Sequence, residues 1–284
     1  MTDDDNEIHP DDRFAMFVSD LHAGSAFGLL PRDCHGSNGT RLYLNQGQEY
    51  LLECWEHMLS IAPRKIDALF LVGDQTDGQN PKNYGRFLTE ADPMFQARFA
   101  EELLTPLVNR VPTIDGQKSV YVLRGSRYHV GDGALYEESL AQSLGAKMAP
   151  DNRYTWSWLN ATLDDVMFDV AHHQSASIRN RTTSLSNEVG FFFERKARER
   201  EQVPERVALV RAHVHGYRML EDDGVIAVSL PAWKLQDEFA KMLKYPNRIR
   251  SAFIGHVGVR FTQDSINVVK YLYKHPPVYT EVIQ

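Results

Sequence analysis

Cysteine is scarce in this chain. Cys34 and Cys54 are the two among 284 residues, too few for a disulfide framework, and a reduced intracellular setting is the simple reading. Long apolar runs are missing: none approaches the ~20 residues that a membrane helix needs, so no membrane association is expected. The first residues hold neither a basic segment nor an apolar one, so no signal peptide is expected and the expected location is cytoplasmic. A positive excess is missing too, since 31 basic residues face 38 acidic ones for a net charge of -7. That balance speaks weakly against non-specific nucleic-acid binding, while leaving room for a local basic patch. Part of the acidity lies in MTDDDNEIHPDD, residues 1–12, which read as a disordered tail.

What is present suits a globular domain: 43% hydrophobic and 24% charged residues, in a chain long enough for a real core. No linker stands out, and residues 13–284 read as one domain. Short apolar runs at 13–18, 67–72 and 119–125 predict buried strands. Between and after them, helical spacing predicts helices over 46–62, 93–111 and 133–146, with long polar loops at 25–45 and 73–93. From 154 onward hairpins dominate. TWSWLNATL and DVMFDVAHH predict one with its turn near Asn160-Ala161. YRMLEDDGVIAVSL predicts another, turning at Asp223-Gly224, and residues 258–273 a third. A helix is expected over roughly 185–201 and a strand in VALVRAHVHG. Together these imply an α/β fold of two mixed β-sheets packed as a sandwich and flanked by helices.

Five times a strand-like run ends in Asp or His. Asp20 and His22 follow the first, and Gly73-Asp74 the second. His129 lies just past the third, His172-His173 follow the fourth, and His213 and His215 close a later one. Taken singly these signals are weak: Asp-x-His is common, and Gly-Asp is usually a turn. Taken jointly they point to a metal site, because loops at strand carboxyl ends converge in α/β sheets. Mixed imidazole and carboxylate ligands suit zinc, iron, manganese or nickel. There are more ligands than one ion needs, and a carboxylate such as Asp74 can bridge two. Two ions so placed can clamp the attacking and leaving oxygens of a phosphoryl displacement.

The order of these motifs resembles that of the calcineurin-like metallophosphoesterase superfamily, D-x-H, G-D-x-x-[DG], G-N-H-[DE], H and G-H-x-H. The matching stretches are Asp20-Leu21-His22, Gly73 to Gly78, His172 and Ala212-His213-Val214-His215. The resemblance implies a metallophosphoesterase-like fold with a dinuclear metal site at the strand ends. Asp20, His22 and His215 would hold one ion and His172 and His213 the other, with Asp74 between them. Mn2+ is the first expectation, with Zn2+, Fe2+, Ni2+ and Mg2+ as alternatives. His173 is the alternative to His172, and Asp77, His173 and Ser126 would support the ligands from behind. The third block departs. Ser126 stands where the family has a metal-binding Asn, and Arg127 where it has a substrate-facing His. His129 would then either ligate the second metal or protonate the leaving oxygen, and Arg127 could grip a phosphate oxygen. This variant block is similar to phage- or prophage-type members, which would favour work near DNA.

Arg179 and Arg181, in a run of Ser, Asn and Thr after His172, could also contact phosphates. In the helix that follows, Glu194, Glu199 and Glu201 alternate with Arg195, Lys196, Arg198 and Arg200, as on a solvated ion-paired face. FFFE at 191–194 reads as core or as a dimer contact, so a homo-oligomer stays open. Three functions follow: a nuclease cleaving nucleic-acid phosphodiesters, a small-molecule or nucleotide phosphatase or phosphodiesterase, and a binding scaffold with weakened chemistry. The first is the preferred expectation, with DNA as candidate substrate.

Overall fold

The computed structural model describes residues 12–79, 84–174, 183–202, 204–236 and 253–276. In chain order the elements begin with β1 (Arg13–Val18), α1 (Gln46–Ile61), β2 (Ala68–Val72) and α2 (Pro93–Val108). Two short strands follow, β3 (Thr113–Ile114) and β4 (Gln117–Lys118), then β5 (Val120–Leu123), α3 (Arg127–Val130) and α4 (Leu135–Ser143). The second half holds β6 (Thr155–Trp156), β7 (Leu159–Leu163), β8 (Val166–Ala171), α5 (Thr183–Glu199), β9 (Arg206–Arg211), β10 (Arg218–Asp222) and β11 (Val225–Ser229). The long hairpin β12 (Phe253–Phe261) and β13 (Ile266–Lys274) completes it.

Two mixed sheets result. One has the order β13-β12-β1-β2-β5-β6 and the other β10-β11-β9-β8-β7. The neighbours β1, β2, β5 and β6 pair in parallel, as do β8, β9 and β11. Parallel strands are covered on both faces, and the apolar runs divide by period two accordingly. In β1, Ala15 and Phe17 join the core that lies between the sheets, while Phe14, Met16 and Val18 join the core under α1 and α2. Likewise β9 sends Ala208 and Val210 between the sheets, and Val207 and Leu209 toward α5. The inter-sheet core is aromatic: the Phe17 and Phe70 rings stack 4.7 Å apart, and Phe168 lies 5.6 Å from Phe17. The expected sandwich of mixed sheets flanked by helices is the observed fold.

Local chemistry sets the helix ends. Asn45 caps α1 in a reciprocal pair with Gln48, and Asp92 caps α2 with Pro93 in the first turn. Some boundaries differ from expectation. The first hairpin turns at Asp164-Asp165, between the paired Leu163 and Val166, rather than near Asn160-Ala161. Asp164 takes the left-handed conformation (φ 51°) that a tight turn demands. The helix expected over 93–111 ends at Val108, and a β3–β4 hairpin with Asp115-Gly116 at its turn follows it. No helix among the described residues is long and apolar enough to cross a membrane.

Candidate metal centre

The loops after β1 and β2 continue the strands' parallel pairing. Asp20 N–H donates to Gly73 O at 2.9 Å, His22 N–H to Asp74 O at 3.1 Å and Ala23 N–H to Gln75 O at 3.0 Å. From the second sheet, Ala212 N–H donates to His172 O at 3.0 Å, fixing the loop after β9 against the end of β8. Asp20, His22, Asp74, His213 and His215 all have positive φ, between 47° and 70°. Left-handed backbone at a non-glycine residue costs about 1 kcal/mol or more, and such residues cluster at functional sites. Glycines make the room. A Cβ on Gly73 would lie 2.5 Å from the His172 ring, and one on Gly125 would lie 2.2 Å from Asp74 Oδ1.

Six predicted ligands converge. Asp20, His22 and His215 bring ligand atoms within 4.8 Å of one another, and so do Asp20, Asp74 and His172. Nε2 of His215 lies 3.1 Å from Asp20 Oδ1 and 3.2 Å from His22 Nε2. Nε2 of His172 lies 3.1 Å from Asp74 Oδ2, and His213 Nδ1 lies 4.0 Å from it. Ligands bound at about 2.1 Å in tetrahedral or octahedral geometry sit about 3.0–3.4 Å apart, so the tighter spacings already match a coordination shell. Asp20 Oδ1 is buried and accepts no hydrogen bond, an expensive state for a carboxylate that a cation would relieve. The residues present fit divalent metal ions.

Hydrogen-bond logic fixes the tautomers. Nδ1 of His172 lies 2.8 Å from Val72 O, and Nδ1 of His129 lies 2.8 Å from Asp77 O. A carbonyl only accepts, so each Nδ1 carries a proton and each Nε2 is the nitrogen left to face the other side chains. Asp77 does the same for His22, with Oδ1 2.8 Å from Nδ1. This backing of a ligand imidazole by a carbonyl or carboxylate is how metal-bound histidines are oriented. Ser126 supports Asp74 through its N–H at 2.6 Å and its hydroxyl at 3.1 and 3.2 Å. Of the supporting roles read from sequence, Asp77 and Ser126 are thus placed behind ligands, whereas His173 is exposed beside His172 and His213.

The electrostatics are those of a charged nest. Burial pushes Asp20 and Asp74 up, but the imidazoles around them, His215 foremost for the first and His172 for the second, together outweigh it and hold both carboxyls below the usual range. Burial lowers His172, yet Asp74 raises it to about 10. His213 is lowered to about 4, by burial first and then by His172, and His129 to about 4 by burial and then His22.

His129 lies on α3 and brings a ligand atom within 4.8 Å of ligand atoms of His22 and Asp74. Arg127, on the same helix, is exposed and paired with Asp132 at 2.8 Å, a local partner that takes its guanidinium. Arg179 and Arg181 lie outside the described residues. Two supporting residues escaped sequence reading. Lys234 is buried and puts Nζ 3.2 Å from Asp77 Oδ1. It follows β11 closely, so the strand-end rule could have found it. Glu137 is buried on α4, and its carboxylate accepts from Gln75 N–H at 3.2 Å and Gly125 N–H at 2.8 Å, tying the loop after β2 to the loop after β5. Burial, then Asp74, raises it to about 8. No sequence signal marked it.

No family model matches the chain, and no curated protein does. Among solved structures, the chain is similar to a dimetal phosphatase from Danio rerio, at 10% identity over 91% of this chain and 99% of that one, with a TM-score of 0.46. It is similar to YfcE, a phosphoesterase from E. coli, at 12% identity over 91% and 93%, with a TM-score of 0.43. It is also similar to Vps29 from Entamoeba histolytica in complex with Zn2+, at 10% identity over 93% and 99%, with a TM-score of 0.37. Likenesses this distant carry no functional weight, which falls on the chain's own side chains. Two mixed sheets lie face to face, with Asp and His side chains gathered where their strands end.

Proposed function

We propose that this chain is a metal-dependent phosphoester hydrolase and that its ester is a nucleic-acid phosphodiester. The observation that carries the reading is the convergence of Asp20, His22, Asp74, His172, His213 and His215 on one small volume, five of the six in left-handed backbone. Asp20, His22 and His215 would hold one divalent ion, His172 and His213 a second, and Asp74 would lie between them. When bound, such ions offset phosphate charge and acidify a water. The chain's own groups do the rest. Ser126 fixes the Asp74 carboxylate, Val72 and Asp77 turn the Nε2 atoms of His172 and His22 inward, and His129 keeps Nε2 to take or return a proton. The partly exposed rim, with His213 43% and His215 33% exposed, supports access by a polymer as well as by a small ester.

The test strips the protein of metal, returns Mn2+, Zn2+, Ni2+ or Mg2+, and compares bis-p-nitrophenyl phosphate, p-nitrophenyl phosphate and single- and double-stranded DNA. Metal-restored cleavage of the diester and of DNA is the expected result. Cleavage of the monoester alone would replace the nucleic-acid substrate with a small phosphomonoester. Two bound ions with no turnover of any substrate would replace the enzyme with a binding protein.

A further inference from the structure

The second pocket holds more imidazole than its assigned ligands account for. His172, His173 and His213 bring ligand atoms within 4.8 Å of one another. Their rings form a near-equilateral triangle, with centroids 5.2 Å apart for His172–His173, 5.2 Å for His172–His213 and 5.0 Å for His173–His213. The corners are not equally committed. His172 spends Nδ1 on Val72 O and turns Nε2 to Asp74. His213 is held by left-handed backbone at φ 70°. His173 is exposed, and among the described residues neither of its ring nitrogens has a hydrogen-bond partner. Three ligand nitrogens this close together, on rings packed edge to face, are placed where one cation could share them.

We propose that His173 is a ligand of the second pocket, making it a three-imidazole site, with Asp74 at its edge, that selects borderline transition metals over Mg2+. The inference rests on reading the strand ends as a metal centre, and it changes what that centre should bind. The first pocket is half carboxylate. The second is nitrogen-rich, and imidazole suits Zn2+, Ni2+ and Cu2+, whereas oxygen ligands suit Mg2+ and Mn2+. Mn2+, the first expectation for the whole centre, therefore fits the first pocket better than the second. Two of the three rings are exposed, so the second pocket should also fill after the first and empty before it.

The experiment is calorimetric titration of the metal-stripped full chain with Zn2+ and separately with Mg2+, comparing wild type with His173→Ala. Circular dichroism confirms the fold, which an exposed substitution should leave intact. The visible spectrum of the Co2+-loaded protein reports nitrogen ligation independently of turnover. Wild type should take two Zn2+ per chain. His173→Ala should keep the first with unchanged affinity, bind the second about tenfold or more weaker, and lose intensity in its Co2+ bands. Mg2+ binding should be the same in both proteins. Two Zn2+ bound equally well by His173→Ala, with an unchanged Co2+ spectrum, would remove His173 from the site and leave the hydrolase reading standing. Normal two-metal binding by wild type without ester cleavage would remove the hydrolase reading and leave the titration of His173→Ala to decide the pocket. Failure of wild type to bind any metal would overturn both.

Discussion

The two sheets contribute unequally to the candidate metal centre. The six-stranded sheet supplies a floor: Asp20, His22 and Asp74 are at most 1% exposed and are laced together by backbone bonds between the loops after β1 and β2. The five-stranded sheet supplies a rim, in which His172 is buried but His173, His213 and His215 reach solvent. The floor carries the carboxylates and therefore the negative charge; the rim carries imidazoles. A buried floor is cross-linked by backbone hydrogen bonds, whereas the exposed rim leaves its imidazoles in reach of solvent. The difference separates holding a site in place from letting ligands in.

Substitutions can break the floor more severely than the rim. The largest effect is expected for Asp74→Asn, which removes the negative charge shared by both pockets. Metal-dependent diester hydrolysis should fall by roughly 10³-fold or more with the fold retained, measured by initial rates and circular dichroism. Unfolding instead would make Asp74 a structural residue. Next comes Asp77→Asn, which weakens the acceptor behind His22. The affinity of the first metal should drop about 10- to 100-fold in a titration, while the second is little changed. Equal loss at both pockets would end the distinction between floor and rim.

Glu137 tests whether the floor needs its tie. Glu137→Ala strips the acceptor from two backbone N–H groups, at about 1–3 kcal/mol for each donor left buried and unpaired, readable in urea unfolding. Little loss would mean that water replaces the carboxylate. The smallest effect is expected outside the Asp–His cluster, at His256. This ring is buried on β12 against Trp233 and Tyr271, and burial lowers its pKa from 6.5 to about 3. The unfolded chain takes up this proton first as pH falls. Stability from this group is thus whole above about pH 6.5 and is lost on acidification toward the folded value. His256→Phe should flatten the acid limb of a Tm–pH profile and leave metal binding unchanged. An equally steep acid limb would assign that loss to the carboxylates of the floor.

Much of this was legible because period and position are local. The strands at 13–18 and 67–72 announced themselves as apolar runs, and Asp20 and Asp74 as the polar residues that end them. The Asp223-Gly224 turn was legible from its dipeptide, and both residues take the positive φ (43° and 78°) that such a turn needs. The turn near Asn160-Ala161 was misplaced because Asp164-Asp165 lacks a glycine, and register with β8 decides it. Glu137 stayed hidden because a glutamate on a short helix looks solvated until α4 packs it against two loops. His129 could be named but not given one role, since the choice depends on which ring nitrogen the Asp77 carbonyl takes.

By itself, the sequence determined which residues could be ligands and that they end strands, because both follow from residue chemistry and local periodicity. Only the tertiary structure decided which of them share a pocket, since pairing β1 with β2 and β8 with β9, and facing the two sheets together, brings side chains about 200 positions apart to 3.2 Å, as for His22 and His215. It also decided that the carboxylates lie beneath with His22 and His172, and that His173, His213 and His215 lie at the edge, because burial depends on what packs over a strand end and not on the residues within it.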